Sequence, residues 1–158
     1  MTRIYLDCDG VLADFDGAAA AILGMTAGEH ERRFGHGEFW AILRATPRFF
    51  ETLPLLPDAC ELYDAVRPLA PIILTGVPPG TWSQPQKRRW AAKHFPGVPV
   101  ITTQAALKRE HCDPGDVLID DWKSRRTAWE SAGGRFIHHR SAAQSIVELK
   151  ALGFALAA

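Results

Sequence analysis

The chain of 158 residues has few cysteines, no long apolar run and no excess of charge of either sign. Its three cysteines lie far apart and form no Cys-x-x-Cys pair, which disfavours a disulfide framework or a zinc site and suggests a reducing compartment. Nowhere do about 18 apolar residues follow one another, so we expect no membrane span. Only a short apolar run precedes Asp7, which disfavours a signal peptide and predicts a cytoplasmic protein.

The balance of charge disfavours nucleic acid and membrane surfaces as partners. Lysine plus arginine equals aspartate plus glutamate, at 18 each, so no overall field would attract nucleic acid or a membrane surface. A hydrophobic content of 47% and a charged content of 23% are typical of a globular protein. The length suits one domain with room for a small insertion.

The apolar residues fall in short runs that end on polar residues, which predicts an α/β fold. These runs cover residues 4–6, 72–74, 98–101, 117–119 and 136–137. Continuous runs of this kind are typical of parallel strands that are buried on both faces. Helical patterns separate them over residues 58–67, 84–95, 122–132 and 141–152. The third pattern ends at Gly133-Gly134, and the fourth opens with a capping box at Ser141. The alternation predicts an open parallel sheet.

Residues 16–54 interrupt this alternation. They begin with an alanine-rich helical stretch, continue through polar sequence with several glycines, and contain the aromatic pairs Phe39-Trp40 and Phe49-Phe50. We predict that this segment is a small helical cap, inserted after the first strand and overhanging the strand ends. Residues 1–15 and 55–158 then form the α/β core domain.

Acidic residues follow two of the predicted strands. The first strand ends on Asp7-Cys8-Asp9-Gly10, and the fourth on Asp120-Asp121. In open α/β sheets, ligands bind beyond the carboxyl ends of the strands, near the point where the strand order reverses. Mg²⁺ prefers oxygen ligands and takes one or two carboxylates together with a substrate phosphate, so the sequence predicts a magnesium site here. An EF-hand calcium loop is excluded, because its twelfth position is Ala18 and not glutamate.

The chemistry that fits these residues is phosphoryl transfer through an aspartyl-phosphate. Asp7 would attack the phosphorus atom in line with the leaving oxygen. Asp9 would protonate that oxygen and later accept a proton from water. Mg²⁺ would neutralise charge on the phosphoryl oxygens.

Three further groups are candidates for binding the phosphate. Thr75 and the Gly76 backbone amide, at the end of the second predicted strand, could donate hydrogen bonds to the phosphoryl oxygens. A lysine is also needed, and Lys87 and Lys108 are both candidates.

In that order, residues 7–12 (DCDGVL), Thr75-Gly76, a lysine and Ile119-Asp120-Asp121 resemble the four motifs of the haloacid dehalogenase (HAD) superfamily of phosphatases. The resemblance implies a three-layer sandwich with a Rossmann-like parallel sheet. It also implies that Mg²⁺ is held by Asp7, the Asp9 carbonyl and Asp121, with Asp120 in support. The superfamily's dehalogenases lack the second aspartate of the first motif, so Asp9 favours phosphate chemistry.

Within the superfamily, the chain is similar to the 5'(3')-deoxyribonucleotidase branch. The similarity covers residues 7–15 (DCDGVLADF), Phe39-Trp40, residues 49–55 and Lys87-x-x-Trp90. In that branch the third-motif lysine lies shortly before the aspartate pair, which favours Lys108 over Lys87. Family nucleotidases bind the base among aromatic residues of the cap, and the candidates here are Phe15, Phe39, Trp40 and Phe49. One departure is Gly76, which stands where a serine is usual and leaves the substrate open.

Three other functions fit the same motifs. The chain could be a phosphatase for sugar phosphates or other small metabolites. It could be a catalytically silent binding or regulatory module, although it retains the nucleophile and the acidic pair. It could also remove phosphate from nucleic-acid ends, which the balanced charge disfavours.

Overall fold

A five-stranded parallel sheet forms the centre of the computed structural model, which describes residues 1–158. Its strands are β1 (Ile4–Leu6), β2 (Ile72–Gly76), β3 (Val100–Thr103), β4 (Val117–Asp120) and β5 (Arg135–His138), in the order β3-β2-β1-β4-β5. Each predicted apolar run lies in or beside one of these strands. The third strand begins two residues later than its run, because Pro99 has no N–H to donate to the ladder.

Seven α-helices flank or extend this sheet. They are α1 (Phe15–Leu23), α2 (Ala27–Phe34), α3 (His36–Ala45), α4 (Ala59–Val66), α5 (Ser83–His94), α6 (Arg126–Ser131) and α7 (Ala142–Ala151). Three 3-10 helices lie at Arg67–Leu69, Ala105–His111 and Lys123–Arg125. No helix of the chain combines the length and the apolar character needed to cross a membrane.

Four helical patterns were predicted outside the insertion, and three of them match α4, α5 and α7 to within one residue. The prediction of a helix over residues 122–132 was wrong in its first turn. Asp120 Oδ1 accepts a hydrogen bond of 2.8 Å from the Trp122 amide, and Trp122 has an extended backbone. This side-chain hydrogen bond competes with helix formation, so a 3-10 turn comes first and α6 begins only at Arg126.

Alternate strand residues pack on opposite faces of the sheet. One face contributes Ile4, Leu6, Ile73, Ile119 and Ile137 to a core shared with α4, α5 and α7. The other contributes Tyr5, Leu74, Leu118 and Phe136, which pack with Trp129 of α6. The α/β fold with three layers, predicted from the sequence, is therefore confirmed.

Helices α1 to α3 lie between β1 and β2. Asp14 caps α1 by accepting a hydrogen bond from the Gly17 amide, and the chain returns beside its point of departure. The Asp14 amide donates to the Pro54 carbonyl and the Leu56 amide to the Leu12 carbonyl, both at 2.8 Å. The segments that enter and leave the inserted helices thus run side by side, which fixes where the helices emerge from the sheet.

Candidate active site

The acidic residues lie where the strand order reverses. In the sheet, β2 and β3 lie on one side of β1, and the chain then crosses over so that β4 and β5 lie on its other side. Asp7 directly follows β1 and Asp120 ends β4. The Asp7 amide donates a hydrogen bond of 2.9 Å to the Ile119 carbonyl, which fixes the two strand ends against each other. This reversal point is the usual ligand site of an open α/β sheet.

Three carboxylates gather at this point. Asp7, Asp120 and Asp121 each offer an oxygen, and these oxygens lie within 4.8 Å of one another. Burial, reinforced by Asp7 and Asp120, raises the pKa of Asp121 to about 8. Burial and Asp7 also raise the pKa of Asp120, against the opposing effect of Lys108. Carboxylates this close repel one another when ionised, and an oxygen-only donor set fits Mg²⁺.

Gly10 makes room for this cluster. Its φ of +81° lies in the left-handed region, and a Cβ placed on it would lie 1.9 Å from Asp121 Oδ2. No larger residue fits there unless Asp121 moves. The glycine of the Asp-x-Asp-Gly sequence is therefore needed both for the turn and for the position of the third carboxylate.

Lys108 binds two members of the cluster. Its Nζ lies 2.9 Å from Asp7 Oδ1 and 2.8 Å from Asp120 Oδ2, and the side chain is buried. Burial lowers the pKa of this lysine, but Asp7 and Asp120 outweigh that effect and raise it. Lys108 therefore remains charged and fixes the orientation of the Asp7 carboxylate.

Lys87 lies in the same site but binds a different carboxylate. Its Nζ donates to Asp9 Oδ2 at 2.8 Å and to Thr75 Oγ1 at 2.9 Å. The ammonium also lies 4.4 Å from the centroid of the Phe50 ring, and the residue is only 2% exposed. The two lysines weighed as alternatives from the sequence are thus both present, one beside Asp7 and one beside Asp9.

The packing of Ala105 explains why residue 76 is a glycine. A Cβ at this position would lie 3.0 Å from the Cβ of Ala105, which begins the 3-10 helix carrying Lys108. A serine here would press on that helix. Glycine replaces the usual serine of the nucleotidase pattern because the 3-10 helix that contains Lys108 packs closely against residue 76.

A cavity of about 550 Å³ opens over the carboxylates. Its walls combine strand-end residues with aromatic residues from the inserted helices. Those lining it include Asp7, Asp9, Gly76, Lys108, Asp120, Asp121, Phe15, Phe39, Trp40, Phe50, Trp122 and Arg125. The acidic groups and an apolar wall therefore share one enclosure.

Phe49 and Thr75, both predicted at the site, lie outside this lining, as does Lys87, the alternative lysine. Phe49 was predicted to contact substrate; it and Phe50 are both buried in the core, but only Phe50 also lines the cavity. Adjacent residues point in different directions, and aromatic content alone does not reveal which one faces the cavity. Thr75 is also buried, with its hydroxyl bound to Lys87 and to the Gly76 carbonyl.

The sequence also showed no sign of a chain of side-chain hydrogen bonds on the cavity wall formed by the inserted helices. Trp40 Nε1 donates to His36 Nε2 at 3.1 Å, and His36 Nδ1 lies 2.9 Å from Glu31 Oε2. All three residues line the cavity. Their spacing of four and five residues connects α2 to α3, and only the helix packing reveals it.

Neither a protein-family model nor a curated protein matches this chain. Among solved structures, it is similar to a HAD family hydrolase from Deinococcus radiodurans R1, whose crystal structure holds bound phosphate and sodium. The TM-score is 0.55 over 94% of this chain and 88% of the other, at 15% sequence identity. At that identity the likeness shows the fold, which is the HAD-like fold predicted from the sequence.

The raised pKa of Asp121 predicts how the stability of the chain depends on pH and on Mg²⁺. Its folded pKa of about 8 lies above the ordinary 3.8, so the folded chain binds this proton more tightly than the unfolded chain does. Without a divalent cation, the contribution of Asp121 to the free energy of unfolding should therefore fall as the pH rises through that interval. If Asp121 is a ligand, Mg²⁺ would compete with the proton, so it should raise the melting temperature more near pH 8 than near pH ~5. Thermal unfolding with Mg²⁺ or EDTA across this range measures both effects. An equal Mg²⁺ shift at every pH would contradict the assignment of Asp121 as a ligand.

Proposed function

We propose that this chain is a Mg²⁺-dependent phosphomonoester hydrolase that acts through an aspartyl-phosphate, as HAD phosphatases do. The proposal rests on one arrangement above all: Asp7 is held by Lys108 beside Asp120 and Asp121, and Asp9 faces the same cavity. The structurally similar HAD family hydrolase bound phosphate in its crystal, which supports a phosphate-ester substrate.

Asp7 and Asp9 divide the chemistry between them. An Asp7 carboxylate oxygen attacks phosphorus, the bond from phosphorus to the ester oxygen breaks, and Asp9 gives that oxygen a proton. In the second half, water attacks the aspartyl-phosphate, Asp9 takes a proton from it, and the bond between Asp7 and phosphorus breaks. Lys87 binds Asp9 Oδ2, while Oδ1 is buried without a hydrogen-bond partner and is available for the proton.

The metal site is assigned to the same cluster. Asp7, Asp121 and the Asp9 carbonyl would hold Mg²⁺, with Asp120 binding Lys108 and the Trp122 amide beside them. When bound, the ion supplies positive charge that stabilises the phosphoryl oxygens. The donor set suits this ion, because all its ligand atoms are oxygens and a hard divalent cation can replace the proton that the raised pKa of Asp121 retains on the cluster.

The substrate we favour is a nucleoside monophosphate. Phe15, Trp40 and Phe50 form an apolar wall of the cavity, and the rings of Phe15 and Phe50 are stacked with centroids 6.0 Å apart. Such a wall offers a planar surface for a base, while the acidic cluster binds the phosphate end. A phosphatase for sugar phosphates would need no such wall.

A substrate panel tests this proposal directly. Nucleoside 5'- and 3'-monophosphates, hexose and pentose phosphates and an aryl phosphate are each incubated with the chain and Mg²⁺, and phosphate release is measured. We expect release that EDTA abolishes, with nucleotides turned over fastest. Better turnover of sugar phosphates would remove the nucleotidase assignment. No release from any ester would favour the catalytically silent module.

Lys87 gives a sharper prediction about the site. The change Lys87→Met removes the donor to Asp9 and Thr75, so the Asp9 carboxylate loses its fixed orientation and its ion-pair partner. We expect kcat to fall by about 10²-fold with little change in KM, because general acid–base help is typically worth about 10²–10⁴-fold. Lys93→Met on the same helix is the matched control, because Lys93 is exposed and outside the cavity lining. A kcat unchanged by Lys87→Met would contradict the role given to this lysine.

A further inference from the structure

We infer that Arg125, which lies over the Trp122 ring at the cavity, binds a second negatively charged group of the substrate, separate from the phosphate that is released. The substrate class would then be a phosphate ester that also carries a carboxylate or another phosphate. This inference rests on the proposed hydrolase activity and changes the favoured substrate from a nucleoside monophosphate, which carries one phosphate, to a nucleotide or other ester with a second anionic group. It concerns residues that lie beyond the acidic cluster and that none of the four motifs includes.

Arg125 has no partner of its own. Its guanidinium forms no ion pair and no hydrogen bond within the chain, and its Nε is buried without an acceptor. The next residue provides a contrast, because Arg126 donates to Glu130 at 3.2 Å and to the Phe136 carbonyl at 3.3 Å. Buried donors in folded proteins are normally satisfied, and leaving one unsatisfied is costly. The other N–H groups of the guanidinium also have no partner in the chain, and Arg125 lines the cavity, so a ligand there can accept hydrogen bonds from them.

Trp122 holds the guanidinium in place for such an acceptor. The Arg125 Cζ lies 4.7 Å from the centroid of the Trp122 ring, and both residues line the cavity. This cation–π contact uses none of the guanidinium N–H donors, and guanidinium donors bind carboxylate or phosphate oxygens in pairs. Trp122 is itself 60% exposed, so its ring remains at the surface beside the aspartates.

The charges around the cavity give Arg125 a distinct role. The carboxylates that line it belong to Asp7, Asp9, Asp16, Glu31, Asp120 and Asp121. Two side chains in the lining carry a permanent positive charge, Lys108 and Arg125. Lys108 is engaged by two carboxylates, so Arg125 is the cation still able to attract a second anion. Outside the phosphate site, the other charged side chains of the lining are acidic, so a second negative group would be attracted beside this guanidinium and repelled near the carboxylates.

A binding experiment isolates the charge of the second group. The probes are 3- and 4-carboxyphenylphosphonate and their carbamoyl counterparts, which match them in size but are neutral at the second position. Calorimetry in the presence of Mg²⁺ gives Kd for the unmutated chain, for Arg125→Gln and Arg125→Lys, and for the control Arg67→Gln, which alters an exposed arginine outside the cavity lining. Because phosphonates are not hydrolysed, the result does not depend on catalysis.

We expect at least one carboxylate probe to bind about 10-fold more tightly than its carbamoyl counterpart, which is the scale of one charge-assisted pair. Arg125→Gln should remove that preference, Arg125→Lys should restore part of it, and Arg67→Gln should leave it intact. Equal binding of the paired probes would overturn the inference, as would a failure of all four to bind. An equal weakening of both probes by Arg125→Gln would also overturn it, because Arg125 would then contact the phosphoryl end. Hydrolysis of the aryl phosphate in the substrate panel tests the proposed function separately.

Discussion

Replacement of Asp7 with asparagine is expected to abolish phosphate ester hydrolysis while leaving the fold intact. The amide has no nucleophilic oxygen for attack on phosphorus, and no aspartyl-phosphate can form on it. Loss of a nucleophile of this kind lowers kcat by about 10⁴-fold or more. Lys108 keeps Asp120 as its partner at 2.8 Å, so the buried ammonium is not left without a carboxylate. Phosphate release under saturating Mg²⁺ and substrate measures the effect, and thermal unfolding reports on the fold.

Asp16→Asn is the matched control for this change. Asp16 lines the same cavity and carries the same charge, but it is exposed and forms no side-chain hydrogen bond or ion pair. We expect this variant to retain activity within a few-fold. A second readout is mass spectrometry of acid-quenched protein, which should find a phosphoryl group on residue 7 of the unmutated chain during turnover. Substantial hydrolysis by Asp7→Asn, or a phosphoryl group on another residue, would contradict the role of Asp7 as nucleophile.

The parts of this molecule that local sequence determines were predictable. The run before Asp7 and the run before Asp120 are apolar at every position, as buried parallel strands require, and both form strands that end at the carboxylates. Motif spacing then places the acidic residues at one edge of the sheet, since carboxyl ends of parallel strands meet there. The boundary errors have local causes that strand and helix patterns do not capture. Pro99 delays β3, and the Asp120 side chain delays α6.

The parts that depend on packing between distant segments could not be read from spacing. Lys87 and Lys108 are both basic residues within otherwise polar stretches, and nothing local indicates which carboxylate each will bind. Phe49 and Phe50 are chemically equal neighbours and both pack in the core, yet only Phe50 also lines the cavity. Arg125 lies in a basic run that is typical of a solvated surface, and its lack of a partner emerges only from the folded chain.

Gly10→Ala should disable the proposed metal site by displacing one carboxylate. The added Cβ would lie 1.9 Å from Asp121 Oδ2 and 2.3 Å from its Cγ, so Asp121 must leave its position beside Asp7. Loss of support for a metal ligand typically costs 10- to 100-fold in metal affinity, and displacement of the ligand itself should reach or exceed about 100-fold. The concentration of Mg²⁺ that half-saturates activity, and the Mg²⁺-dependent rise in melting temperature, both measure this loss.

A second glycine separates displacement from backbone strain. Gly97 has a φ of +84°, close to the +81° of Gly10, but a Cβ at Gly97 would meet no atom within 4 Å. Both alanine variants therefore carry a similar strain, on the order of 1 kcal/mol for an L-residue in the left-handed region. Only Gly10→Ala adds the collision with Asp121, so any difference in Mg²⁺ affinity between the two belongs to that carboxylate. If both variants lost stability alike and kept the Mg²⁺ dependence of the unmutated chain, Asp121 would not be a ligand.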